Sequence, residues 1–162
     1  MNCTFQILGK KDSGKTLVLE KVISALKERG LVVATVKHTH HIINPENKDT
    51  ARYMSSGSDV TVLHSNDCAL FWGCDDLSYV NYLPADVILI EGFEDINLGK
   101  RYLITNPSEA VKIANDIIKE ASLCSNEPKL KTFPEHNNKI AKMLLYNLMK
   151  KWGLKEVRVI DD

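Results

Sequence analysis

The chain has 162 residues, 44% hydrophobic and 26% charged, the balance of a globular domain long enough to bury one real core. Lys plus Arg equal Asp plus Glu at 21 each, so no overall field draws nucleic acid or an acidic membrane, and any anion site has to be local. No apolar run reaches membrane-spanning length and the first residues lack an apolar signal core, which sets the expectation of a cytoplasmic protein.

The first element is a β-branched and aromatic run, Thr4 to Leu8, readable as a buried strand. Gly9-Lys10-Lys11-Asp12-Ser13-Gly14-Lys15-Thr16 follows and fits the phosphate-binding pattern G-x-x-x-x-G-K-S/T. Leu19, Val22, Ile23 and Leu26 then recur at helical spacing up to Gly30. Strand, glycine loop and helix make an anion cradle. Loop N–H groups and the helix dipole face phosphate oxygens, Lys15 reaches the outer phosphates and the Thr16 hydroxyl ligates Mg²⁺.

Leu31 to Val36 is apolar apart from Thr35 and suits a central parallel strand. It runs into Lys37-His38-Thr39-His40-His41 and a polar, proline-containing stretch to Lys48, a long loop at the end of a strand where α/β sheets carry ligand chemistry. Two readings of its histidines stand. His38, His40 and His41 either line a second ligand beside the nucleotide, with Lys37, or hold zinc. Asp49 to Met54 reads as a short helix with Asn47 or Asp49 near its N-cap and Gly57 closing it. Val60 to Leu63 and Cys68 to Trp72 form a hairpin around Ser65-Asn66-Asp67, and Asp75-Asp76 caps a short helix before Pro84.

Val87 to Ile90 is a further apolar strand, flanked by Asp86 and Glu91. Five residues at ~3.3 Å each hold these two carboxylates roughly 16 Å apart, so one Mg²⁺ cannot use both. Glu91, at the carboxyl end like the glycine loop, is the metal candidate; Asp86 reads as a solvent-facing strand-entry residue. Tyr102 to Thr105 is another strand, and Pro107 opens a helix to about Ala121 on the stripe Ala110, Ile113, Ala114, Ile117. Asn106 is a candidate base contact. A polar segment follows from about 123 to 136, then a helix with Ile140, Met143, Leu144, Leu148 and Trp152 on one face, ended by Gly153. Glu156 to Ile160 is an expected edge strand. The pattern divides the chain into a phosphate-loop domain, residues 1–122, and a helical extension, 123–162, packed on it. Cys3, Cys68, Cys74 and Cys124 show no C-x-x-C spacing and read as buried reduced thiols, with a Cys68–Cys74 bridge as the alternative.

The glycine loop, Val33 to His41, Lys48-Asp49-Thr50-Ala51-Arg52 and Asp86 to Phe93 together resemble the molybdopterin-guanine dinucleotide biosynthesis protein B family in order and spacing. That resemblance implies an α/β fold, a three-layer P-loop NTPase with a mainly parallel sheet, a hairpin strand and helices on both faces. It implies GTP and Mg²⁺ binding with slow hydrolysis and a homodimer. It also implies an accessory role beside the guanylyltransferase that joins GMP to molybdopterin, so that enzyme or the pterin is the implied partner. The chain departs from the family at Ile43-Asn44, Asn47 and Glu94, where Phe-Asp, Gly and Lys are usual. Lys10 is uncommon there and resembles the extra lysine of dimeric ATPases with a modified loop. Thr16 and Glu91 are the expected Mg²⁺ ligands, Asp49 an outer carboxylate or water positioner, and Lys37 and Arg52 the cations for transition-state charge. A small-molecule kinase, with His38 or Asp49 as base, and a nucleotide-gated adaptor without turnover are the rival readings.

Overall fold

A computed structural model describes residues 3–74, 76–124 and 128–158. The chain divides into two compact units, Met1–His38 with Val80–Asp162, and Thr39–Tyr79. In the first, strands β1 (Cys3–Leu8), β2 (Val33–Lys37), β5 (Val87–Glu91) and β6 (Lys100–Leu103) form one sheet in the order β2-β5-β1-β6, every pairing parallel.

Helices α1 (Lys15–Glu28) and α3 (Ala110–Ala121) cover one face of this sheet. The apolar stripes do what their spacing requires: Val18, Leu19, Val22 and Leu26 meet Ile113, Ala114 and Ile117 above Phe5, Ile7, Val87 and Leu89. Because side chains alternate along a strand, Gln6, Ile88 and Ile90 turn to the other face, and all three are buried as well. Burial on both faces explains why β5 reads as a continuous apolar run. The start of α3 is a short 3₁₀ turn, Pro107–Glu109, with Asn106 and Glu109 in a reciprocal capping box.

Cys3 and Cys124 are disulfide-bonded, with Cα atoms 5.9 Å apart. This corrects the reading of reduced buried thiols. The first residue of β1 meets the end of α3, a neighbourhood no local spacing reveals across a separation of 121 residues. Closing a chain that long removes entropy from the unfolded state worth about 3–5 kcal/mol. Cys68 and Cys74 are exposed free thiols, which corrects their expected burial too.

Two further expectations are corrected here. Asp86 is not solvent-facing; it is fully buried, with Oδ2 accepting from Val32 N–H and from Lys139 Nζ at 2.7 Å. Lys139 belongs to the last helix, α4 (Lys139–Trp152), so the partner that permits this burial lies far along the chain. The apolar face expected on α4 is mostly exposed at Ile140, Leu144 and Trp152, and Met143 is its buried residue. Polar groups dock the helix instead: Lys139 on Asp86, Asn147 Nδ2 donating to Leu83 O at 3.3 Å, and Lys151 over the Tyr82 ring.

The second unit holds α2 (Asp49–Ser55) and an antiparallel hairpin of β3 (Val60–His64) and β4 (Cys68–Trp72), which pair as a two-stranded sheet of their own. Lys48 occupies the N-cap of α2, with Asn47 and Asp49 on either side of it. Of the expected Asp75-Asp76 cap, Asp75 lies outside the described residues, while Asp76 Oδ1 accepts from Ser78 N–H at 2.7 Å. Glu156 to Arg158 form no strand, and residues 159 and 160 lie outside the described residues. Among the described residues no helix is long and apolar enough to cross a membrane.

Candidate functional site

The site begins where β1 runs out. Gly9, at φ 150°, turns the chain from Leu8, and a Cβ there would strike the Ile104 carbonyl and come within 2.7 Å of Ser13 Oγ. Asp12 adopts the left-handed region, φ 62°, which a short acidic side chain tolerates better than a branched one. Gly14, at φ 102°, is the N-cap of α1, and a Cβ there would come to 3.0 Å from Pro107 Cα. The loop is therefore seated against the β6–α3 connection and has to be glycine at both points.

This geometry turns the first N–H groups of α1 out of the helix end, where no i−4 carbonyl exists to receive them. No acidic residue occupies the first turn to neutralise the dipole. Lys15 Nζ donates to the carbonyls of Gly9 and Lys10, both at 2.7 Å, so the ammonium lies against the loop rather than out in solvent. Ser13 is buried, and its hydroxyl has no hydrogen-bond partner among the described residues. Such an orphan costs about 1–3 kcal/mol unless a ligand satisfies it. Oriented N–H groups, a lysine and an unsatisfied hydroxyl together fit a polyphosphate.

The carboxylate stands at the adjoining strand end. Glu91 pairs in register with Ile7 of β1 on one side and Lys37 of β2 on the other, all on the face that α1 covers. Its side chain is 13% exposed, and Lys37 Nζ lies 3.5 Å from Oε1. Thr16, in the first turn of α1, is exposed. A hydroxyl and a carboxylate are hard oxygen donors of the kind Mg²⁺ takes, so the residues present fit that ion. His38 donates its N–H to Glu91 O at 2.9 Å and stacks on Phe93, centroids 4.5 Å apart and planes at 20°.

Asp49 and Arg52 pair with each other at 3.4 Å along α2, both exposed, and His41 N–H donates to Thr39 Oγ1; these residues and His40 lie in the second unit. Among the described residues no three His, Cys, Asp or Glu side chains gather closely enough to hold a metal ion. Asn106 spends its side-chain oxygen on Ser108 N–H as a helix cap. Lys10 and Lys11 are exposed within the loop. Gln6 was not among the candidates, although a lone amide inside an apolar strand is a visible signal; it binds the loop that follows Glu91.

The profile of the family described as molybdopterin guanine dinucleotide synthesis protein B matches residues 4–119. A Bacillus subtilis protein described as a probable molybdopterin-guanine dinucleotide biosynthesis adapter protein is 30% identical over 124 residues, 69% of this chain and 72% of the relative. The Haemophilus influenzae adapter protein of the same description is 33% identical over 104 residues, 58% of each chain, so this chain spans little more than half of that relative. Among solved structures, Bacillus subtilis MobB is 28% identical over 63% of this chain and 67% of its own, with a TM-score of 0.48.

Proposed function

Because this chain belongs to the molybdopterin guanine dinucleotide synthesis protein B family, we propose that it serves molybdenum-cofactor biosynthesis as an accessory protein that binds GTP with Mg²⁺ and hydrolyses it slowly. The observation that carries the reading is the cradle of Gly9 to Thr16 with its buried, unsatisfied Ser13 hydroxyl. The loop and the first turn of α1 hold the phosphates, and Lys15 exchanges its two loop carbonyls for phosphate oxygens. Thr16 and Glu91 are the residues that would hold Mg²⁺, which when bound offsets phosphate charge. Lys37 balances the Glu91 carboxylate until the ion arrives.

In this reading His38, whose backbone bonds Glu91 and whose ring stacks on Phe93, meets a second ligand, and the partner is the guanylyltransferase or the pterin itself. The protein acts as a homodimer in this reading. A second reading, an adaptor gated by nucleotide without useful turnover, is favoured by the word adapter in the descriptions of both relatives above. Calorimetry with GTP and with ATP, each with Mg²⁺, tests the nucleotide assignment. GTP is expected to bind more tightly than ATP, and Lys15→Ala to lose about 10- to 100-fold in affinity, the worth of one charge-assisted contact. Equal binding by the variant at matched salt would refute the cradle. Phosphate release from GTP distinguishes slow hydrolysis from the adaptor.

A further inference from the structure

Parallel strands are ordinarily joined by a dozen or more residues, usually with a helix to cover the sheet on the way. Strands β5 and β6 flank β1, and residues 92–99 make the whole crossing. Gln6, fully buried in the middle of β1, takes the place of a covering helix. Its two Nε2–H groups are shared among three carbonyls, those of Gly92 and Phe93 at 2.8 Å each and of Ile96 at 3.0 Å, and its Oε1 accepts from Leu98 N–H at 3.2 Å. Turned over, the amide would press its oxygen against three carbonyls, so its donors and acceptor fit in one orientation.

The segment held this way is under conformational strain at its start. Gly92 and Phe93 are both left-handed, φ 90° and 58°, and for a bulky side chain such as Phe that region is unfavourable. The reversal begins directly after Glu91, whose own carbonyl accepts from His38 N–H, while Gly92 N–H donates to Ile7 O. A Cβ at Gly92 would sit 2.9 Å from His38 Cβ. Two strands thus fix the backbone on either side of Glu91, and the Gln6 amide compensates the strained turn after it.

We propose that Gln6 is a positioning residue for the Glu91 carboxylate, acting through the 92–98 turn; this rests on the Mg²⁺ reading of Glu91 given above. The test uses Gln6→Met, which keeps volume and loses all four bonds, and Gln6→Glu, which regains a donor only when protonated. Two readouts are taken: hydrogen exchange of the Ile96 and Leu98 amides without ligand, and the gain in GTP affinity on adding Mg²⁺. In Gln6→Met both amides are expected to exchange at least about tenfold faster and the Mg²⁺ gain to fall about tenfold, the loss of roughly one net hydrogen bond. Affinity for GTP without Mg²⁺ stays within about twofold, since the cradle is untouched.

In Gln6→Glu a buried carboxyl facing three carbonyls has its charged form disfavoured, so the differences from wild type at the same pH, in amide protection and in the Mg²⁺ gain, close as pH falls from about 8 to about 5. This second variant decides the matter where Gln6→Met does not fold. Unchanged exchange, an intact Mg²⁺ gain in Gln6→Met, or a difference between Gln6→Glu and wild type that stays constant with pH overturns the proposal while leaving the nucleotide site standing. Wild-type protein that binds no Mg²⁺-nucleotide overturns the site reading and this role with it.

Discussion

Two acids at the two ends of one strand carry opposite duties. Asp86, fully buried and bonded to Lys139 and Val32 N–H, holds the entry of β5 to α4. Glu91, at the exit, has an exposed lysine for a neighbour and a place beside the phosphate loop. Asp86→Asn is therefore expected to lower stability by about 1–3 kcal/mol, because a buried ion pair is broken, and to leave Mg²⁺-dependent GTP affinity alone. Glu91→Gln should do the reverse, since its ion pair with Lys37 is worth at most about 1 kcal/mol at such exposure. Thermal melts and calorimetry on the two variants, run side by side, settle it; equal loss of Mg²⁺-dependent affinity in both refutes the division. The place of Glu91 was legible because strand polarity puts it and the glycine loop at the same end of the sheet. The duty of Asp86 was not, since nothing local announces Lys139, 53 residues on.

At the scale of elements, α3 is tied to the edge strand β6 by a small polar cluster. Glu120 Oε1 accepts from Lys100 Nζ at 2.5 Å and from Tyr102 Oη at 2.9 Å. The Lys100 hydrogen bond first, and the Tyr102 bond second, hold the Glu120 carboxyl below its usual range. A depressed folded-state value means stability that is present above the unfolded value, about pH 4.3, and lost as pH falls through the folded value. The difference in melting temperature between wild type and Glu120→Gln is therefore expected to be largest near about pH 6 and to shrink toward about pH 3. A constant difference across that range would show that the cluster does not titrate as a stabilising unit. Lys100 and Tyr102 are raised, Lys100 chiefly by its bond to Glu120 and Tyr102 chiefly by burial, so their share is lost only as pH rises through the folded values on the alkaline side.

The stripes of α1 and α3 were readable because their spacing meets one large apolar surface. The stripe of α4 misled for the converse reason. Spacing tells which residues share a helix face, but docking through Lys139, Asn147 and Lys151 decided how much of that face is covered.

Over the whole molecule, the parallel strands and the glycine loop belong to what periodicity and strand polarity can supply, but the order β2-β5-β1-β6 does not: β2, read as a central strand from its apolar run, lies at the edge of the sheet. The hairpin strands Val60–His64 and Cys68–Trp72 were also visible, yet among the described residues they pair only with each other, and a two-residue alternation cannot say which sheet a strand joins. What lay beyond reach was the joining of positions 3 and 124. As a covalent object the stretch from residue 3 to residue 124 is accordingly a closed ring, and the unit Thr39–Tyr79 is one arc of it. A single protease nick in that arc opens the ring without parting it. Mass spectrometry of the nicked protein should show one species heavier by one water, and only a reductant should release two fragments. Two fragments without reductant would show that the ring is not closed.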